Sequence, residues 1–90
     1  MPEVNVPIEW PDKQRDSIYS PSTILLQYIK SGDSLSVQDF DARISEALQL
    51  ASQRVYQRYG FECTSAIGEL ARLKARIAAI NDKSALINVL

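Results

Sequence analysis

Ser36 to Ile80 read SVQDFDARISEALQLASQRVYQRYGFECTSAIGELARLKARIAAI, and this stretch decides the fold. Ser36 followed by Asp39 matches a capping box, and Leu35 with Phe40 matches the hydrophobic staple that accompanies one. Val37, Phe40, Ile44, Ala47, Leu48, Ala51 and Val55 then recur at spacings of three and four. That is one apolar stripe on a helix over about 37–59. Gly60 stops it, because glycine accepts the left-handed backbone that closes a helix. Thr64 or Ser65 is expected to cap the next helix. Its stripe is Ala66, Leu70, Leu73, Ile77 and Ile80, a spacing suited to near-antiparallel packing on the helix before it. Asn81-Asp82-Lys83-Ser84 breaks the pattern.

Upstream the period changes. Val4, Val6, Ile8 and Trp10 alternate with Asn5, Pro7 and Glu9, the signature of a half-buried strand. Pro7 cannot donate to a ladder, which predicts an edge strand or one bonded on a single side there. Pro11-Asp12-Lys13-Gln14 is turn-like, and Arg15 to Tyr19 read as the return strand of a hairpin with Ile18 inward. Ser20-Pro21 reads as a third helix start, with serine as cap, proline at the first helical position and Tyr19 stapled to Ile24. Ile24, Leu25, Tyr28 and Ile29 would form its apolar face, and Gly32 would end it. At the far end Ala85-Leu86-Ile87-Asn88-Val89-Leu90 is apolar and β-branched and reads as a last strand returning beside Val4–Trp10. The expected fold is α+β. A small antiparallel or mixed sheet, built from the N-terminal hairpin and the C-terminal strand, is covered on one face by three helices in the order β-β-α-α-α-β. Residues 1–90 form one domain.

A hydrophobic fraction of 46% and a charged fraction of 23% are ordinary for a folded domain. A net charge of −1 gives no basic excess that would call for nucleic acid or anionic lipid. The charge is uneven, however. Residues 1–41 hold three basic and seven acidic side chains, and residues 42–90 hold seven basic and four acidic ones. The simple reading is that the halves attract each other within the fold. The sharper one is a basic helical face that meets an acidic partner. No run approaches the roughly 20 apolar residues needed to span a bilayer. The amino terminus lacks the order of a signal peptide. A cytoplasmic, reducing location is the expectation.

Chemistry-bearing motifs are few. Histidine is absent, and Cys63 is the single cysteine. Cys–His catalysis is therefore excluded, and one cysteine without histidine builds no conventional zinc site. Trp10-Pro11-Asp12 with a lone cysteine suggests a phosphatase loop, but that chemistry needs an arginine six residues after the cysteine, where Glu69 stands. Glycines Gly32, Gly60 and Gly68 are isolated and form no phosphate loop. Asp39 and Asp41 lie two apart on a helical turn and point different ways. No catalytic residue, metal or cofactor is expected. Tyr56, Tyr59, Phe61 and Cys63 remain as a candidate partner or sensor surface. The aromatics suit an interface, and Cys63, ahead of a helix amino terminus, suits packing first and a redox-sensitive thiol second.

Five short motifs in register carry a resemblance: Trp10-Pro11-Asp12, Tyr19-Ser20-Pro21-Ser22, Asp39-Phe40, Ala51-Ser52-Gln53-Arg54-Val55 and Tyr59-Gly60-Phe61-Glu62-Cys63. The chain resembles the small nitrogen-starvation response proteins encoded with a nitrilase in a bacterial gene cluster, over roughly residues 2–80. The resemblance implies a setting beside a nitrilase, a radical S-adenosylmethionine protein and an acetyltransferase. It implies no catalytic residue.

The functional expectation is a non-enzymatic accessory or interaction protein of such a cluster. Its surfaces would be the helix junction at Tyr59–Cys63 and a sheet edge near Pro7. Its partner would be a protein, a nitrilase-cluster enzyme, or a second copy through the sheet edge. Neither nucleic acid nor membrane is expected. The alternative is a small-molecule or redox sensor with Cys63 as reporter. Behind both stands a transcriptional regulator, which the low net charge disfavours.

Overall fold

The structure, a computed structural model, describes residues 3–60 and 64–90. Its elements are β1 (Val4–Glu9), β2 (Arg15–Ser20), a 3₁₀ segment (Thr23–Gln27), β3 (Ser34–Ser36), α1 (Val37–Tyr59), α2 (Thr64–Ala78) and β4 (Leu86–Val89). The strands form one antiparallel sheet in the order β2-β1-β4-β3. Both helices and the 3₁₀ segment lie on one face of it, so the class is α+β.

The first hairpin follows the sequence pattern. Val6, Ile8 and Ile18 point inward and are buried, while Asn5, Pro7, Arg15 and Ser17 face solvent. Its turn closes with Trp10 N–H on Gln14 O at 2.9 Å and Lys13 N–H on Trp10 O at 2.9 Å. Lys13 holds a left-handed backbone at φ 74°. Trp10 is buried, meets Phe40 edge to face at 5.7 Å, and carries the Arg76 guanidinium 5.0 Å above its ring.

The expected three helices are two. Ser20 does not start a helix. It pairs with Val4 at the end of β2, and its hydroxyl donates to Ser22 O at 2.7 Å. The cap is Ser22, whose oxygen accepts the Ile24 N–H. It opens one short 3₁₀ stretch, and Ile24, Leu25 and Ile29 are still buried there as the stripe required. Tyr19 lies in β2, so its staple with Ile24 is not formed. The stretch closes at Tyr28, whose N–H donates to Leu25 O at 3.0 Å; beyond it Asp33 accepts the Lys30 N–H at 2.9 Å, and Gly32 turns the chain at φ 93°. The unforeseen β3 comes next, so the order is β-β-3₁₀-β-α-α-β.

The edge alternative for Pro7 is the second correction, because β1 is an interior strand between β2 and β4. Bonding residues alternate sides along an antiparallel strand. Trp10 bonds toward β2, so the even residues face β2 and the odd ones face β4. Pro7 thus loses a donor on the β4 side, where its carbonyl still accepts the Leu90 N–H at 2.9 Å. The Leu90 carbonyl that would receive the missing donor accepts the Ser31 hydroxyl instead, at 2.8 Å.

The long helix matches its signals at both ends. Ser36 accepts the Asp39 N–H at 3.1 Å, and Gly60 closes α1 at φ 76° with its N–H on Tyr56 O. Thr64 and Ser65 both lie within α2, so neither is its cap; the cap position falls outside the described residues. Phe40, Ile44, Ala47 and Leu48 of α1 pack with Leu73 and Ile77 of α2 and with Ile8, Ile18, Ile87 and Val89 of the sheet. With 23 residues, α1 is about 34 Å long and outruns the short strands. Past their ends the two helices keep only a small pairing of Val55 and Ala66.

Candidate functional site: the tip of the helical hairpin

The distal end of the α1–α2 hairpin holds the described large aromatics that the fold leaves uncovered. Tyr56 is 56% exposed and Tyr59 is 49% exposed. Three residues apart, they share one face of the last turns of α1. Tyr56 stands outside the stripe that ends in Val55, whereas Tyr59 follows Val55 by four residues and continues it. Arg58 lies 5.9 Å from the Tyr59 ring centroid. Tyr56 forms one wall of a shallow depression of about 230 Å³ with Ser52, Gln53 and Gln57, an amide-rich lining. Ile67 of α2 is 50% exposed. Of the four side chains singled out from sequence, Tyr56 and Tyr59 are brought together here. Phe61 and Cys63 lie outside the described residues, so the thiol reading rests on sequence alone.

The charge of this tip is set by what happens elsewhere. Seven basic residues stand in 42–90, and five of them are held by the body of the fold. Arg72 pairs with Asp16 at 2.9 Å and Glu69 at 2.7 Å, Arg76 with Asp12 at 2.9 Å, and Lys74 with Asp41 at 2.7 Å. Lys83 donates to the last carbonyls of the α2 region, Ile77 O and Ile80 O, and Arg43 donates to Tyr28 O. The unequal halves of the chain therefore attract each other within the fold. Arg43 does not pair with Asp39. Arg54 and Arg58 are the two left at the tip, and neither forms an ion pair with a described residue. No acidic side chain is described between Ala47 and Gly68.

The family model of the nitrogen starvation-induced protein NitG matches residues 5–90. The chain belongs to the NitG family. No curated protein and no solved structure matches it. The NitG match takes in Asn81–Leu90, including β4, which the short motifs did not reach. In this NitG-family chain, no group of three metal-binding side chains is found among the described residues, and no described helix is long and apolar enough to cross a membrane.

Two other features escaped the sequence reading. The first is a groove of about 310 Å³ beside β1, lined by Asn5, Val6, Pro7, Leu26, Ile29 and Lys30 among others. It lies where the pairing of β4 with β1 at Ile8 and Glu9 ends in the bond from Leu90 N–H to Pro7 O. Alternation in the strand had marked which residues face solvent, but not where the neighbouring strand would stop. The second is an ionic cluster of Asp16, Glu69 and Arg72 at the outer edge of β2. Burial pushes the Asp16 carboxyl up, but Arg72, the Trp10 indole N–H and the Ser17 amide outweigh it and hold Asp16 below the usual carboxylate range. Burial likewise raises Glu69, and Arg72 with the Tyr19 amide brings it below its ordinary value. Glu69 first and Asp16 second raise Arg72, which stays charged. The only local signal was the three-residue spacing of Glu69 and Arg72 on one helix.

Proposed function

We propose that this protein is a non-enzymatic accessory protein that works by binding an enzyme or other product of the nitrilase gene cluster through the tip of its helical hairpin. The observation that carries the reading is the grouping, on one helix end, of two half-exposed tyrosines with two arginines that form no ion pair with a described residue. Aromatic and arginine side chains are the residues most enriched where proteins bind one another, because they bring large area or forked donors at modest entropic cost. The charged side chains described at the tip are Arg54 and Arg58, so the matching surface is acidic. The partnership with a nitrilase cluster rests on the family resemblance and on induction under nitrogen starvation, which the family's description states.

Co-purification from nitrogen-starved cells tests it. The tagged wild-type chain is compared with a Tyr56→Ala/Tyr59→Ala variant whose fold is verified by circular dichroism. Enrichment of a cluster product over that variant, weakening as salt is raised, is the expected result. Equal recovery with both chains would remove the tip from the proposal.

A further inference from the structure

We propose that the outer edge of β2 is a strand-addition site for a second copy of this chain, held shut by Glu69 and Arg72 of α2. A sheet edge exposes unpaired amides and carbonyls and is a template for another strand. This sheet has two outer strands. One, β3, spans three residues and runs directly into α1, so it offers little to pair with. The other, β2, spans six. Its even residues bond to β1, which turns the backbone of Arg15, Ser17 and Tyr19 outward.

At that edge α2 places side chains where a neighbouring strand would place its backbone. The Glu69 carboxylate accepts the Tyr19 N–H at 2.8 Å, in the role of a strand carbonyl. The Arg72 guanidinium donates to Ser17 O at 3.0 Å, in the role of a strand amide. Asp16 accepts the Ser17 N–H at 2.7 Å and is itself fixed by Arg72 and by the Trp10 indole. Glu69 and Arg72 are further tied to each other at 2.7 Å. The clamp is made only of side chains, so it opens by rotamer changes without unfolding a helix.

A second copy suits the opened edge. Two β2 strands paired antiparallel about a twofold axis at Ser17 let the two Ser17 amides exchange bonds. The same register sets Arg15 opposite the partner's Tyr19 on the solvent face, a guanidinium against a ring. Such an interface is self-complementary, as twofold dimers require.

The test is a Glu69→Ala/Arg72→Ala variant studied by light scattering and amide exchange. The mass should double from 10.1 kDa, and the Tyr19 amide should stay protected. Adding Ser17→Pro puts a ring and no donor on the outward edge and should return the monomer mass. If the double variant does not fold, Glu69→Ala/Arg72→Gln, which keeps a polar helix-forming side chain at 72 but takes the guanidinium off Ser17 O, carries the same comparison. A folded variant that stays monomeric with a freely exchanging Tyr19 amide overturns the proposal. So does a dimer that survives Ser17→Pro.

Discussion

Removing the Glu69 carboxylate asks how much one side chain contributes by completing a strand edge. Its side chain is 12% exposed and accepts from both the Tyr19 amide and Arg72. In Glu69→Ala the Tyr19 N–H is left without its acceptor in a partly buried place, a loss of about 1–3 kcal/mol. Arg72 is 46% exposed, so its lost ion pair adds only ~0–1 kcal/mol. The expected cost is about 2 kcal/mol, or a fall in Tm of roughly 8–16 °C for a domain of this size. Glu69→Gln keeps an oxygen for the Tyr19 amide and loses only the charge, so it should cost about 1 kcal/mol. The pH dependence separates the two contributions. The folded pKa of Glu69 is lowered, so its charge stabilises the fold above the unfolded carboxylate value of about 4.3 and loses that effect as pH falls through the folded value. A protonated glutamate bonds much as glutamine does, so wild type and Glu69→Gln should differ at pH 7 and draw together as pH falls through the lowered folded value. Urea unfolding at low micromolar concentration, where self-association is suppressed, measures this. A Glu69→Ala cost under about 0.5 kcal/mol, or a Glu69→Gln gap that does not shrink as the pH is lowered, would refute the reasoning.

Three backbone positions give further tests by thermal or urea unfolding. Lys13 sits at φ 74° with its side chain in solvent, and Lys13→Gly should raise stability by about 0.5–1 kcal/mol, since relief of the left-handed strain exceeds the entropy glycine costs. Gly60→Ala should lower stability by about 1 kcal/mol through strain alone, because an added Cβ meets nothing within 4 Å but the backbone stands at φ 76°. Gly68→Ala should do the opposite, raising it by about 0.5–1 kcal/mol, because its added Cβ is equally unobstructed but the position is interior to α2 with no positive φ. A sign reversal at either glycine would contradict the boundaries of α1 and α2.

What could be read from the sequence was whatever a few neighbouring residues decide. The span of α1 follows from Ser36 and Gly60, each of which acts on its own helix end. The stripes of α1 and α2 follow from spacing, and the exposure of Tyr56 from lying off the stripe. What could not be read depends on distant chain. Ser20-Pro21 has the local grammar of a helix start, but Val4 opposite Ser20 takes that residue into a strand. Ser34-Leu35-Ser36 is too short to announce a strand and is one because Leu86–Asn88 lie beside it. Pro7 obeys the rule that proline leaves a donor missing. The sequence could not show that Ser31 would replace that donor, which lets the strand sit inside the sheet. The Glu69 clamp is the extreme case, since its acceptor and the Tyr19 amide are 50 residues apart.

The same dependence on distance explains why the charge pattern misleads. Seven basic residues after position 41 look like one basic surface. Folding sorts them by reach. Arg72, Lys74 and Arg76 project from the part of α2 that lies over the sheet, where the acidic residues of the first half wait at the hairpin turn, the strand edge and the start of α1. Arg54 and Arg58 project from α1 beyond the sheet, where that acidic half has no chain to offer. The length of α1 thus leaves Arg54 and Arg58 without an ion pair to a described residue, and the same overhang leaves Tyr56 and Tyr59 half exposed. A shorter first helix would have kept the arginines within reach of the body. The hairpin separates a body whose charges and sheet edge are satisfied from a tip where Tyr56 and Tyr59 are half exposed and Arg54 and Arg58 form no ion pair with a described residue, and that contrast is the physical ground for placing recognition at the tip.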